Sequence, residues 1–558
     1  MDINKRTILW IVFSISLAFL WDSWMVSNGN PSFFSMTPPP AKVAPAAAGG
    51  SAPANAGVPS GTGAVTAAVP GAPAAPAAIK TEVITITTDV FKVDIDTNGG
   101  AIKRLELLKF RDKIDQKKNQ VLMNVSEKGT YLAETGLVNT VAGPVPPNHT
   151  TPFVAQPGPR MLNDANELKL VLEAVQDGIK LTKTFTFKRG DYVIDMLHQL
   201  TNTGTTPISP LLYLQLQHDG NKPEGDSFFT SSYTGPTMYT SINKYEKLQF
   251  SDIEKKKADH VKKANDGWIA ISQHYFVTAF LPPQNVPREI ETRTVSPNLY
   301  AIATKLPLGQ IAPGATVSSD VRMYSGPQDE NKLEKIAPGL ELVKDYGWLV
   351  MIAKPIFWVM DKMHSYIGNW GWTIIAFTIA IKLLFFPLSA AGYKSMARIK
   401  VVTPKMQAIR EKYKGDPAKM NQATMELYKT EKINPLGGCL PILVQMPVFI
   451  ALYYVLSASA EMRGAPWISW ITDLTQPDPF FILPVLYAIS MFITTKLNPA
   501  PADPIQAKMM LFMPLAFSVM FIFFPSGLVL YWVVNNILSI AQQWVITKKF
   551  EDAAASKK

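Results

Sequence analysis

The spacing of hydrophobic positions divides the chain into three regimes. The first is an apolar run from Ile8 to Trp21, preceded by Lys5 and Arg6 and extended past Asp22 by Ser23 to Val26. Such a run is either a cleaved signal peptide or an uncleaved anchor. Asn28-Gly29-Asn30-Pro31 offers no clear small-x-small cleavage site, which favours an anchor over 1–27. Residues 28–80 follow, and from 36 to 79 they are almost entirely Ala, Pro, Gly, Ser, Thr and Val, a composition that cannot build a core and reads as a tether. From Thr81 to about 338 apolar residues alternate with polar ones, as in Phe91, Val93, Ile95 and Tyr192, Ile194, Met196. Asn98-Gly99-Gly100 and Asn202-Thr203-Gly204 supply turns. This second regime predicts an all-β domain, a sandwich.

The third regime has helical spacing. Over 339–366, Trp348, Ile352, Ile356, Val359 and Met363 recur three or four apart, so the segment predicts an amphipathic helix that either lies in a membrane interface or packs on the β domain. Five apolar runs follow at 367–392, 433–460, 479–496, 509–524 and 528–547, the last two divided by Pro525-Ser526-Gly527. Loops 461–478 and 497–508 separate the others, and with the anchor the expected count is six spans. Segment 393–432 holds ten Lys/Arg against four Asp/Glu. The basic-loop rule therefore puts 393–432, the N-terminus and the basic tail 548–558 in the cytoplasm, with 28–366 outside. Within 393–432, Ile399, Val402, Met406, Ile409 and Tyr413 are broken by Gly415-Asp416-Pro417 before Met420, Ala423 and Leu427 resume, which predicts a helical hairpin. Such a hairpin is marginal alone, which points to a cytoplasmic partner.

Composition adds exclusions. The net charge of +10 falls beside the spans, and the basic cluster from Lys255 to Lys263 has no interleaved aromatics, so no nucleic-acid sequence is the expected partner. A single cysteine, Cys439, rules out an intrachain disulfide. No metal-ligand cluster, P-loop, dinucleotide fingerprint or nucleophile elbow is visible, so neither metal, cofactor nor enzymatic activity is expected.

Candidate chemistry centres on Lys382. It lies within the apolar run Trp370 to Gly392, where a charge costs about 2.5–3.5 kcal/mol on insertion scales. The later apolar runs contain no Asp or Glu to pair with it. A cation without a counter-ion suggests a hydrated pocket, with Thr378 and Ser389 extending a polar stripe; the alternative is a structural lysine that snorkels to the headgroups. Gln445, Thr494, Thr495, Asn535, Asn536, Gln542 and Gln543 in the other spans either line the same pocket or bond helix to helix. Met491, Met509, Met510, Met513, Met520, Phe521, Phe523 and Phe524 offer a soft apolar surface that suits varied partners. Runs 479–495 and 509–524 would reach only about 24–26 Å, short of a hydrocarbon core of about 30 Å, and should thin the bilayer.

Asn434-Pro435-Leu436-Gly437-Gly438-Cys439, Gln445-Met446-Pro447, Ala451-Leu452-Tyr453-Tyr454 and Phe524-Pro525-Ser526-Gly527-Leu528-Val529-Leu530-Tyr531 resemble the signature blocks of the YidC membrane protein insertases of Gram-negative type. The resemblance runs from end to end. It implies an inner-membrane protein with a periplasmic β-supersandwich related to sugar mutarotases, and a hydrophilic groove that inserts nascent membrane proteins, alone or with the Sec translocon. By the same resemblance Lys382 is the groove's basic residue, Thr378 and Trp532 line it, and Phe449, Tyr487, Met520 and Phe521 form an apolar slide. Gln445, Thr495 and Asn535 join the groove as polar candidates, and lipids, and the ribosome through 393–432 and the tail, are further expected partners. Many relatives carry Arg where this chain has Lys382, and lysine, unlike arginine, can lose its proton when poorly hydrated. Two other classes remain open at this stage. A secondary transporter would need repeated halves and a paired acid, and an anchored periplasmic carbohydrate-active protein would need paired carboxylates; neither set is visible.

Overall fold

The computed structural model describes residues 81–555, apart from 141–142, 222, 224–232, 414, 432–439, 499–511 and 513–515. The apolar run 1–27, the tether 28–80, the motif from Asn434 to Cys439 and most of loop 497–508 lie outside the described residues.

The period-two region folds into two nine-stranded antiparallel sheets. In spatial order the first comprises β1 (Val83–Thr87), β2 (Phe91–Asp96), β3 (Ala101–Arg111), β4 (Asn119–Ser126), β5 (Gly129–Asn139), β10 (Pro210–Asp219), β17 (Leu299–Pro307), β16 (Arg288–Ser296) and β13 (Lys263–Ala264). The second comprises β12 (Lys244–Lys247), β11 (Gly235–Thr240), β14 (Trp268–Ser272), β15 (Phe276–Leu281), β18 (Thr316–Pro327), β9 (Val193–Asn202), β8 (Ile179–Lys188), β7 (Glu167–Gln176) and β6 (Val154–Ala155). One apolar cluster draws on both, with Leu105 and Leu214 from the first and Phe185 and Ile271 from the second. The β7–β8 hairpin shows how local sequence sets register. Asp177 and Gly178 both have positive φ, 48° and 74°, as a two-residue type I′ turn requires, and Gln176 pairs with Ile179. Every second residue of β8 then points inward: Ile179, Leu181, Lys183, Phe185 and Phe187.

Lys183 is the exception in that row. Its ammonium donates to Gly99 O at 2.6 Å and Thr135 O at 2.7 Å, which ties the second sheet to the first, and it lies 4.8 Å from the centre of the Phe153 ring. His198 stands alongside, bonded through Nε2 to Thr135 Oγ1 at 2.9 Å. Burial pushes Lys183 down to about 7, against a smaller upward pull from Glu134, and burial with the Lys183 charge pushes His198 down to about 3.

The helical region begins with α1 (Phe250–Glu254) and α2 (Glu330–Ile336), both within the β domain. Then come α3 (Val350–Ile367), α4 (Trp370–Leu384), α5 (Phe386–Lys412), α6 (Pro417–Thr430), α7 (Leu440–Ala458), α8 (Ile482–Leu497) and α9 (Ser526–Ala555). The expected amphipathic stripe of 339–366 packs in part. Of its five members Ile352, Ile356 and Met363 do pack, joining Ala353, Phe357 and Met360 where α3 meets α7 and α4, whereas Trp348 and Val359 face outward, 74% and 37% exposed. The outward side mixes Met351, Trp358 and Val359 with Lys354 and Lys362, so the spacing marks the packed side only in part. The run Trp370 to Gly392 is not one straight helix either. α4 and α5 meet at a bend of 67°, where Pro387 in the first turn of α5 lacks the N–H that would continue the helix.

In place of six clear spans, one helix among the described residues, Ser526–Lys549 of α9, is long and apolar enough to cross a membrane by itself. α4 with the start of α5 makes a bent pair, and Gln445–Ala458 and α8 are shorter apolar helices. Their outward residues are lipid-like: on α8, Val485, Leu486, Ile489, Phe492 and Ile493 are exposed while Leu483, Tyr487 and Ser490 are buried. In α5 and α6 the less exposed side carries Val402, Met406 and Ile409 opposite Met420 and Leu427, and the Tyr428 hydroxyl meets Met406 Sδ at 3.7 Å.

Polar contacts lock the β domain to the outer ends of the helices. Lys344 is fully buried against Glu461 at 2.9 Å, and its ammonium sits 3.6 Å from the centre of the Phe357 ring. Arg463 donates to Arg111 O and Gln120 Oε1, both at 2.7 Å, and His274 Nε2 donates to Ser457 O at 2.8 Å near the end of α7. The loop after α7 crosses the ends of α4 and α9. Asn369 caps α4 and donates to Pro466 O, while the Ser526 and Gly527 amides donate to Gln476 O and Leu474 O. Gly371 is required under this loop, because a Cβ there would lie 2.2 Å from the Trp467 ring.

Both depressed groups in the sandwich contribute stability that is complete above their unfolded values, 10.5 for Lys183 and 6.5 for His198. It is lost as pH falls toward about 7 and about 3 respectively, because the unfolded chain then binds protons that the folded one refuses. His198→Gln, which keeps a donor for Thr135, should flatten the loss of β-domain stability between pH 6.5 and 3 in the full-length protein, followed by protection from proteolysis. An unchanged slope would show that His198 does not titrate as its burial dictates.

Candidate functional site: a polar-walled cavity among the helices

α4, α5, α7, α8, α9 and the turn before α9 enclose a cavity of about 730 Å³. At about 30 Å³ per molecule it has room for on the order of two dozen waters. One wall is polar. Its centre is the row Asn535, Asn536, Ser539 and Gln543, which recurs on one side of α9 at helical spacing. Each member is tied to another helix. Gln445 of α7 donates to Asn535 Oδ1; Asn536 donates to Ser490 Oγ of α8 at 3.2 Å; Gln543 donates to Asn498 Oδ1 at 2.9 Å.

Lys382 completes this wall from α4, 6% exposed, with its ammonium donating to Ser539 Oγ at 2.7 Å. Because α4 ends at Leu384, the lysine occupies the last helical turn, where the negative end of the helix dipole favours a cation. No carboxylate pairs with it among the described residues, and the cavity lining includes no Asp or Glu. About one turn along the same helices the lining becomes apolar and aromatic. Tyr487 and Phe521 meet edge to face at 4.5 Å, Phe449 and Trp532 at 4.7 Å, and Met491 and Met520 fill between them.

The sequence candidates divide accordingly. Lys382, Gln445, Trp532 and Asn535 all line the cavity, as do Phe449, Tyr487, Met520 and Phe521. Two candidates do not. Thr378 is 1% exposed and spends its hydroxyl on Ile374 O at 2.7 Å; Thr495 bonds Met491 O at 2.9 Å, and it is Thr494 that reaches the cavity. Thr378 lies one turn before Lys382 on the same face of α4, buried among neighbouring helices, whereas Ser389 and Tyr393 of α5, beyond the bend, reach the cavity with Lys382. Sequence reading passed over Ser539 and Tyr393. Ser539 follows Asn535 by four and precedes Gln543 by four, a signal that was present but looks like an ordinary small residue in a span. No group of His, Cys, Asp and Glu able to hold a metal occurs among the described residues.

A two-sheet β domain joined to lipid-facing helices around a cavity split into polar and apolar walls defines a membrane protein with a large extramembranous domain. Residues 83–359 match the family described as the YidC periplasmic domain, and 362–553 the family described as 60Kd inner membrane protein. The membrane protein insertase YidC of Herminiimonas arsenicoxydans is 58% identical, over 98% of this chain and 99% of its own length. That of Cupriavidus necator is 55% identical, over 98% of each. Among solved structures, that of an active YidC insertase with its first transmembrane domain resolved covers 83% of this chain and 92% of its own, at 17% identity and a TM-score of 0.41. The chain belongs to the YidC family of membrane protein insertases, and it is an inner-membrane protein with a large periplasmic β domain.

If the cavity is hydrated, position matters more than residue type. In a Cys439→Ser background, Thr494→Cys should react with a membrane-impermeant, water-soluble thiol reagent many-fold faster than Thr378→Cys. Equal rates at the two positions would show that the cavity is not the aqueous compartment.

Proposed function

We propose that this insertase, which is not an enzyme, works by lowering a barrier: the polar flank of a nascent membrane protein crosses through the cavity along the Lys382 wall, while the adjoining apolar segment leaves along the Phe449, Tyr487, Met520 and Phe521 wall into lipid. The observation that carries this reading is one cavity lined both by polar side chains around a buried cation with no carboxylate partner among the described residues and, about one helical turn along, by aromatic and methionine side chains. A charge at the centre of a bilayer costs about 2.5–3.5 kcal/mol on insertion scales, so a hydrated cavity with one cation shortens the costly part of the path for acidic tails. Partition of the apolar segment into lipid drives the transfer, and the membrane potential adds about 2.3 kcal/mol per charge per 100 mV for an acidic tail moving outward. α8, sixteen residues long, reaches about 24 Å, which supports a locally thinned bilayer.

The same reading takes in the rest of the chain. Six spans put both termini and the hairpin 393–432 in the cytoplasm and 28–366 in the periplasm, as the surplus of Lys and Arg in 393–432 supports. The basic hairpin and tail are then placed to receive chains from a ribosome, and cooperation with the Sec translocon fits the same route. Of the polar candidates, Lys382, Gln445, Trp532 and Asn535 serve in the groove, and Thr378 and Thr495 support it from behind.

Lys382→Arg should therefore retain insertion, whereas Lys382→Glu should slow substrates with acidic translocated tails by about tenfold, equivalent to about 1.4 kcal/mol in the barrier, and neutral-tailed ones much less. Lys382→Ser should fall between. Reconstituted vesicles with paired acidic and neutral substrates give the comparison, and equal rates for all three variants on both substrates would remove Lys382 from the mechanism.

A further inference from the structure

Ser539 of α9 accepts a hydrogen bond from the Lys382 ammonium at 2.7 Å. Its hydroxyl proton is committed to Asn535 O at 2.7 Å, one turn back on α9, so toward Lys382 it can act only as an acceptor. The Asn535 side chain is in turn held by Gln445 of α7. An ammonium has three donors; Ser539 takes one, and no carboxylate among the described residues takes another. A lysine so near the end of α4 has a long flexible stem and an open alternative, which is to extend toward the headgroups. Ser539 removes that alternative by fixing the head of the side chain against α9.

We infer that Ser539 is a positioning residue: it holds the Lys382 ammonium at the cavity wall with its remaining donors turned to the translocated tail, and so sets the preference for acidic tails. This rests on the groove reading above. A hydroxyl that already donates elsewhere suits a cation and would repel nothing neutral, so its loss should act on charge selectivity rather than on insertion in general. Hydrogen bonds to charged groups are the stronger class, and losing this one should lower the ratio of acidic-tail to neutral-tail insertion by up to about tenfold.

The test measures that ratio for full-length protein in vesicles carrying Ser539→Ala, Ser539→Thr or Ser539→Asp, beside Lys382→Ser. The expected results are a ratio lowered by Ser539→Ala, retained by Ser539→Thr, which keeps the hydroxyl, and abolished by Ser539→Asp, which pairs the cation inside the protein. An Ala variant that keeps the wild-type ratio, or loses both substrates equally, overturns the inference. If Lys382→Ser lowers the ratio and Ser539→Ala does not, the positioning role alone fails. If Lys382→Ser leaves the ratio unchanged, the groove reading fails and the inference with it.

Discussion

Polar side chains in a membrane-embedded bundle must find partners inside the protein, because lipid offers none. The polar row of α9 meets this constraint by bonding to α4 through Lys382, α7 through Gln445 and α8 through Ser490. Those bonds tie α9 to three neighbouring helices along the cavity lining. The apolar part of the lining, built of large aromatic and methionine side chains, lies about one turn along the same helices.

The outer end of the bundle is joined to the β domain by buried polar contacts. The buried pair of Lys344 and Glu461, with Phe357 beneath the ammonium, joins the segment leaving the β domain to the loop that crosses α4 and α9. Removing one partner of such a pair leaves an uncompensated buried charge, which typically costs about 3–5 kcal/mol. Arg463 and His274 add contacts from the same loop and from α7 to the β domain. α7 therefore bears Gln445 and Phe449 in the cavity and Ser457 against the β domain, so one helix connects the two regions.

Among the described residues the cavity lining holds one cation and no acid, an arrangement poorly suited to coupling proton or ion movement, which needs a partner that exchanges protons or charge with the site. Under the proposed function the cargo supplies the negative charge instead. Weak, replaceable polar contacts on one wall and an adaptable apolar surface on the other discriminate by charge and hydrophobicity while tolerating varied sequence.

The local periods of the sequence determined the two-sheet domain, because alternation, Asp177-Gly178 and Asn98-Gly99-Gly100 act within a few residues. The apolar runs and signature blocks determined the family, and the lone Lys382 the place to look. What only the tertiary structure decided are the matters that depend on partners far along the chain or on lipid. Ser539 meets Lys382 across 157 residues, a pairing no local pattern announces. Pro387 bends the run between α4 and α5, and beyond the bend Tyr393 joins the expected Ser389 at the cavity. On α3 the packed side takes Ile352, Ile356 and Met363 of the expected stripe together with Ala353, Phe357 and Met360, while Trp348 and Val359 turn outward, a division set by contacts with α7 and α4 rather than by spacing.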